Sequence, residues 1–419
     1  MQIKTLSHPH NKTALIRLCQ GCELPIDLID IKRGESAHCP RCGTRLYRGG
    51  NPSLSGNLAI TITCLLLLIP AHCFNFLTIR LVGVMIPASL PAGLWALASD
   101  GYPVLALLIF FCSSLAPLLV LSAIVIAHIA LHYRWFNAFR YSLLITQKLK
   151  PWSMIDVFLV SVAVSCFKLT DYADIFIGPA LYSLVLLQVL TVLLISRVSI
   201  QRYWEVWKPE AQFHTVANKQ MHCHYCHLSQ CASAHCVRCG QPLHHRKPQS
   251  IERTWAYTLS AAIAIFPANL IPISVFITNG QRLEDTIFSG VAALINSGMY
   301  GIAAIIFIAS IVVPVVKILG LIYLLLAIQF QRRLYHRQRM TIYYVIKWIG
   351  KWSVMDLFVI SIMLTLIDRG QLLDFTPGYG AVAFGCVVIL TMLAAESLDS
   401  RLIWDNDSVK AKHCESSYE

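Results

Sequence analysis

Charge is what this chain has least of. Asp, Glu, Lys and Arg together make up 13% of its 419 residues, where soluble domains carry about a quarter. That shortage excludes an ordinary soluble domain and implies a membrane protein. Acids are the scarcer sign, 22 Asp and Glu against 34 Lys and Arg, for a formal net charge of +12. In a soluble protein this excess would suggest nucleic acid, but here the basic residues collect in loops between apolar runs. A positive-inside bias and contact with anionic lipid headgroups explain them more simply, so no nucleic-acid partner is expected. The GxxxxGK[ST] phosphate loop is missing, so the chain is not expected to draw on ATP itself. A cleavable signal peptide is not expected either, because the first 50 residues are polar, charged and cysteine-bearing. Nor does any nucleophile or catalytic-metal set gather at a span end, so no enzyme is expected.

Apolar residues fill the gap, at 56% of the chain with a mean hydropathy of +0.60. A span needs about 20 of them in a row. The first half reads as four spans, near 57–79, 102–131, 152–168 and 175–196. The second half repeats them near 255–278, 299–329, 353–367 and 378–397. The repetition is literal in places: PWSMIDVFLVS from Pro151 returns as KWSVMDLFVIS from Lys351. Pro70 aligns with Pro267, Gly93 with Gly290, Pro117 with Pro314 and Trp204 with Trp404. Similarity over about 190 residues is a duplicated domain, far longer than a solenoid repeat.

The loops 132–151, 197–254 and 330–351 are basic, whereas 80–101 and 279–298 hold one arginine each, Arg80 and Arg282. This bias places the termini, the cysteine modules and the basic loops in the cytoplasm. An even span count then gives both halves one orientation. The expected fold is an all-α polytopic membrane protein of two tandem parallel repeats, each a cytoplasmic zinc ribbon plus a four-helix unit. Its parts are a ribbon over 1–50, a membrane unit over 51–205, a second ribbon over 206–248, a second unit over 249–405 and a cytoplasmic tail over 406–419. Residues 90–102 and 287–299 are too short to cross and read as interfacial helices.

Each module pairs two CxxC knuckles: Cys19 and Cys22 with Cys39 and Cys42, then Cys223 and Cys226 with Cys236 and Cys239. Four thiolates so spaced make a closed tetrahedral site, and two zinc ions per chain are expected. A redox dithiol pair and an iron–sulfur site are the rival readings. In the second module His222, His224, His227, Cys231 and His235 crowd the knuckles, so its ligand set stays open between four cysteines and a mixture.

An ionisable group at membrane depth costs a few kcal/mol and is a functional candidate for that reason. Lys317 sits mid-span, three residues after Pro314, and its first-half counterpart is Val120. Ser310 is two turns before Lys317, on the same face of a regular helix. Ser353 and Asp356 belong to the repeated phrase and supply either partners for the lysine or a helix-capping box. Thr391, like Thr191, is a mid-span hydroxyl that either joins such a site or bonds its own backbone. Lys168 and Asp171 stand at i, i+3 where the third span ends, spaced for an ion pair.

Paired CxxC ribbons, each followed by a four-span unit bearing W-S-x-x-D, resemble the paraquat-inducible protein A family from Cys19 to Trp404. The doubled form is most similar to its lipophilic envelope-spanning tunnel branch. The resemblance implies a bacterial inner-membrane protein that works with a mammalian-cell-entry-domain tunnel protein and helps move phospholipid between membranes. The short, histidine-rich second ribbon departs from the family pattern. A membrane redox or metal stress sensor and a passive scaffold for the tunnel are the alternatives.

Overall fold

The computed structural model describes residues 16–27, 31–32, 34–50, 53–81, 84–169, 174–208, 220–278, 281–296, 298, 300–330, 335–367 and 374–405. Among the described residues six helical stretches are long and apolar enough to cross a membrane: Leu54–Cys73, Pro103–Tyr133, Phe136–Cys166, Pro179–Arg197, Ala303–Gln329 and Tyr379–Ser397. The chain is a multi-pass membrane protein. Two of the eight expected spans fall outside this set. Ser250–Leu270 is helical, but Glu252, Arg253 and a run of hydroxyls dilute its first turns. Met355–Ile367 has 13 residues, about 20 Å of helix.

The expectation of an all-α chain needs correction. Leu77–Leu81 pairs antiparallel with both Val84–Ala88 and Asp174–Ile177, and Ser274–Thr278 pairs likewise with Gln281–Asp285 and Asp374–Pro377. Two three-stranded sheets therefore close one end of the bundle. In the sequence residues 77–79 and 175–177 merge into the neighbouring spans, because short apolar runs look alike as helix or strand. Each sheet meets the last helix of its half at a glycine. Gly178 N donates to Phe76 O at 3.0 Å and Gly378 N to Ile273 O at 2.6 Å. A Cβ there would lie 2.1 Å from Asn75 O or 2.0 Å from Pro272 O, so only glycine lets the backbones approach this closely.

The long helices are broken in the same way in both halves. Pro117 and Pro314 lack an N–H, and π-turns at Phe111–Leu115 and Ile308–Val312 precede them. In the first half the freed Cys112 carbonyl accepts from Met154 N at 3.2 Å, which ties the π-turn to the repeated phrase. The two copies of that phrase meet each other. Phe158 and Phe358 pack edge to face at 5.5 Å, and Ser161 Oγ donates to Met355 O at 3.0 Å. The phrase is the seam between the halves.

At the other end sit the cysteine modules, and they dock crosswise. The first, built on hairpins Ile16–Leu18/Pro25–Asp27 and Ser36–His38/Arg45–Arg48, buries its cysteines against Leu321, Leu325, Met340, Tyr343 and Trp404 of the second half. The second packs against Ala127, Phe139, Trp204 and Trp207 of the first half. Leu18 N donates to Ser229 Oγ at 3.0 Å, so the modules also touch each other.

Candidate functional site

All four knuckles fold alike. The amide of the first cysteine donates five residues on, as in Cys19 N to Leu24 O and Cys223 N to Leu228 O, and the residue after the second cysteine donates back. That last residue is left-handed each time: Glu23 (φ 58°), Gly43 (φ 73°), His227 (φ 58°) and Gly240 (φ 68°). Two of the four turns thus take this shape without the glycine that a left-handed residue favours, held by the paired hydrogen bonds.

The knuckles bring four buried sulfurs together in each module. Cys19 and Cys42 Sγ are 3.5 Å apart, as are Cys22 and Cys39, and Cys223–Cys239 and Cys226–Cys236 are 3.6 and 3.4 Å apart. Sulfurs at 2.3 Å from a central ion would be about 3.8 Å from one another, while a disulfide would need about 2.05 Å. Hydrogen bonds from Cys19 and Cys22 pull the Cys39 thiol down to about 7, and those of Cys226 lower Cys223, while their neighbours push Cys22 and Cys226 up. Four thiolates this close repel, so only a central cation lets all of them ionise. Both clusters can hold a metal ion.

In the second module it is the four cysteines whose ligand atoms cluster. Cys231 is exposed, and the histidines bond elsewhere. His227 Nδ1 is 3.3 Å from His222 Nε2, and His224 Nε2 meets the Arg401 guanidinium. Burial drives His224 and His227 down to about 4 and holds His222 well below the usual imidazole value, which favours the neutral rings.

Arg401 is the centre of a charged latch that sequence reading missed. It is buried to 1% exposure and grips Asp399 at 2.9 and 3.0 Å, Glu23 of the first module and His224 of the second. Arg246 adds a second bond to Glu23, at 2.7 Å, and pairs with Asp405. Burial would raise the Asp399 carboxyl, but the bonds and charge of Arg401 outweigh it and hold it at about 2. The only sequence signal was a D-x-R pair just past the last apolar helix.

Within the bundle, Lys317 is buried and donates to Thr391 Oγ1 at 2.7 Å and to Ser353 Oγ at 3.4 Å. Thr391 in turn donates to Val388 O at 3.0 Å. Ser310 does not join them. It donates to Ile306 O at 2.7 Å, and the intervening π-turn rotates it off the lysine face that a regular helix would have given it. Asp356 opens the first turn of Met355–Ile367. The side chain of Lys168 and all of Asp171 lie outside the described residues. In the first half, Val120 packs with Cys64, Leu121 and Leu187 where the lysine would be.

The profile of the family described as paraquat-inducible protein A matches residues 54–208 and again 251–407. The chain is 38% identical to "Lipophilic envelope-spanning tunnel protein A" of Escherichia coli (strain K12), over 92% of this chain and 90% of the relative. It is 33% identical to "Probable intermembrane transport protein" of Haemophilus influenzae, over 92% of this chain and 95% of the relative. It is 29% identical to "Intermembrane transport protein PqiA" of Escherichia coli (strain K12), over 97% of this chain and 99% of the relative. The first of these relatives is named as a tunnel protein and the other two as intermembrane transport proteins, none as an enzyme. No solved structure matches.

Proposed function

The chain belongs to the paraquat-inducible protein A family, and from that membership we propose that it is the inner-membrane component of a phospholipid transport system of the bacterial envelope. It loads or unloads lipid at a periplasmic tunnel formed by a mammalian-cell-entry-domain partner. Its two halves are parallel repeats, with the cysteine modules, both termini and the basic loops in the cytoplasm and the sheets at the periplasmic face. The observation that carries this reading is Lys317, an ammonium placed on two hydroxyls in one half only. A scaffold gains nothing from so costly a group, and a transport pathway uses one. A redox sensor is disfavoured because all eight knuckle sulfurs are buried in closed centres.

The reading is tested in membranes carrying a photoreactive phospholipid together with the tunnel partner. Illumination should cross-link lipid to both proteins, and cysteines placed at residues 215 and 335 should react only with reagent from the cytoplasmic side. A partner that acquires lipid equally well without this chain would overturn the loading role, and periplasmic labelling at either position would overturn the orientation.

Zinc is the metal proposed for both centres, held by Cys19, Cys22, Cys39 and Cys42 and by Cys223, Cys226, Cys236 and Cys239. It would cross-link the knuckles without redox change. Elemental analysis should give about two zinc ions per chain, and Cys39→Ser with Cys42→Ser should remove one. An iron–sulfur absorption spectrum, or metal content near zero in intact protein, would overturn the assignment.

A further inference from the structure

Helix Leu54–Cys73 carries a half-buried histidine one residue before its end, on the sheet side of the first half. His72 Nδ1 lies 2.9 Å from the Leu68 carbonyl oxygen, and Nε2 lies 2.8 Å from Ser114 Oγ on the π-turn. Ser114 Oγ is 3.3 Å from Ser113 Oγ, which is 2.7 Å from the Ile109 carbonyl oxygen. Both serines are buried. Four links therefore run between two carbonyl oxygens, and a carbonyl only accepts.

The hydrogens can be counted from each end. Ser113 spends its one hydrogen on Ile109 O, so Ser114 must donate to Ser113. Ser114 then has none left for the ring, so Nε2 must donate to Ser114. At the other end Nδ1 must donate to Leu68 O. Both ring nitrogens carry a hydrogen when the chain is complete. A neutral imidazole and two hydroxyls supply three hydrogens for four links, and only the imidazolium supplies the fourth.

We propose that His72, Ser114 and Ser113 form a proton-binding site at the sheet end of the first half, the bound proton completing this hydrogen-bonded chain. The site deepens the transport reading, on which its role rests, by giving the bundle a cation to take up from the sheet side. The π-turn is what aims Ser114 at the histidine. In the second half the aligned positions are Asn269 and Ile311. Asn269 keeps the same backbone contact, Nδ2 to Ile265 O at 2.8 Å, but cannot bind a proton. Titratable and charged groups on the surrounding elements are Cys64 and Cys73 on its own helix, Cys112 beside the serines, Tyr182 on Pro179–Arg197, and Arg80 and Asp174 in the sheet, while Arg197 and the His128, His132 and Tyr133 of Ala116–Tyr133 lie toward the far ends of their helices. Among the described residues His72 makes no ion pair, so the hydrogen-bonded chain, and not a carboxylate, selects the charged ring.

The test is nitrogen NMR of full-length protein carrying isotope-labelled histidine in lipid nanodiscs. His72→Asn, which restores the residue of the other half, identifies the signal. At neutral pH the His72 ring should show hydrogen on both nitrogens. Ser114→Ala should lower the ratio of doubly to singly protonated ring about tenfold, the worth of one hydrogen bond to a charged group. Ser113→Ala reads the same chain should Ser114→Ala fold poorly. A ring with hydrogen on Nδ1 and a bare Nε2, or a doubly protonated ring unmoved by either serine variant, would overturn the site. The spectrum needs no lipid assay. A charged ring in a chain that proves not to handle lipid would overturn the transport reading and leave the site standing.

Discussion

Replacing Lys317 by methionine is expected to leave a folded, membrane-inserted protein that restores envelope integrity no better than an empty vector. The physical basis is that the ammonium costs the bundle more than it returns. Its hydrogen bonds go to two neutral hydroxyls, Thr391 and Ser353, against a cost of about 3 kcal/mol for a charge at helix centre. Removing it strands little, since Thr391 still donates to Val388 O. Thermal unfolding in detergent should therefore be unchanged or raised while complementation fails. Lys317→Arg separates two roles: partial activity points to a fixed charge, and none points to a lysine that must release its proton, which arginine does not do. Val120→Ala, at the aligned position of the first half, is the control and should be tolerated. Full complementation by Lys317→Met at normal abundance would make the lysine a structural passenger.

The second large effect is expected at Arg401, and it concerns stability. Its guanidinium is 1% exposed and Asp399 3%. Breaking such a pair from one side leaves a buried charge and costs about 3–5 kcal/mol. Arg401→Met should lower the unfolding free energy by about that much and loosen the first cysteine module on the second half, because Glu23 loses its buried partner and keeps only Arg246. Arg246→Met removes a pair whose guanidinium is 21% exposed and should cost only about 1 kcal/mol. Denaturant melts of the two variants, side by side, check the ratio. Equal and small losses would mean that apolar packing, not the latch, holds the module. The Asp399 carboxyl is held at about 2, below its usual value near 3.9. Its contribution is therefore present in full above about pH 4 and is lost as pH falls through about 2.

The membrane character, the duplication, the two cysteine modules and the isolation of Lys317 were all legible in the sequence. Each rests on a residue type that is costly or rare where it stands, or on a spacing that survives alignment of the halves. Eight cysteines in four CxxC pairs have one economical arrangement, and the structure finds the same four-plus-four grouping. A lysine in an apolar run declares itself through its transfer cost. What the sequence could not decide was which distant groups come together. The strands at 77–81 and 274–278 hid in apolar runs because periodicity does not separate short strands from buried helix. Counting along a regular helix puts Ser310 beside Lys317, and one π-turn undoes the count. Ser353, 36 residues beyond the lysine, and Thr391, 74 beyond it, reach it only through helix packing. The crosswise docking of the modules and the His72–Ser114 contact across 42 positions are likewise products of the tertiary structure. Local composition fixes the cost of burying each group, but only the packed bundle decides which partner offsets that cost.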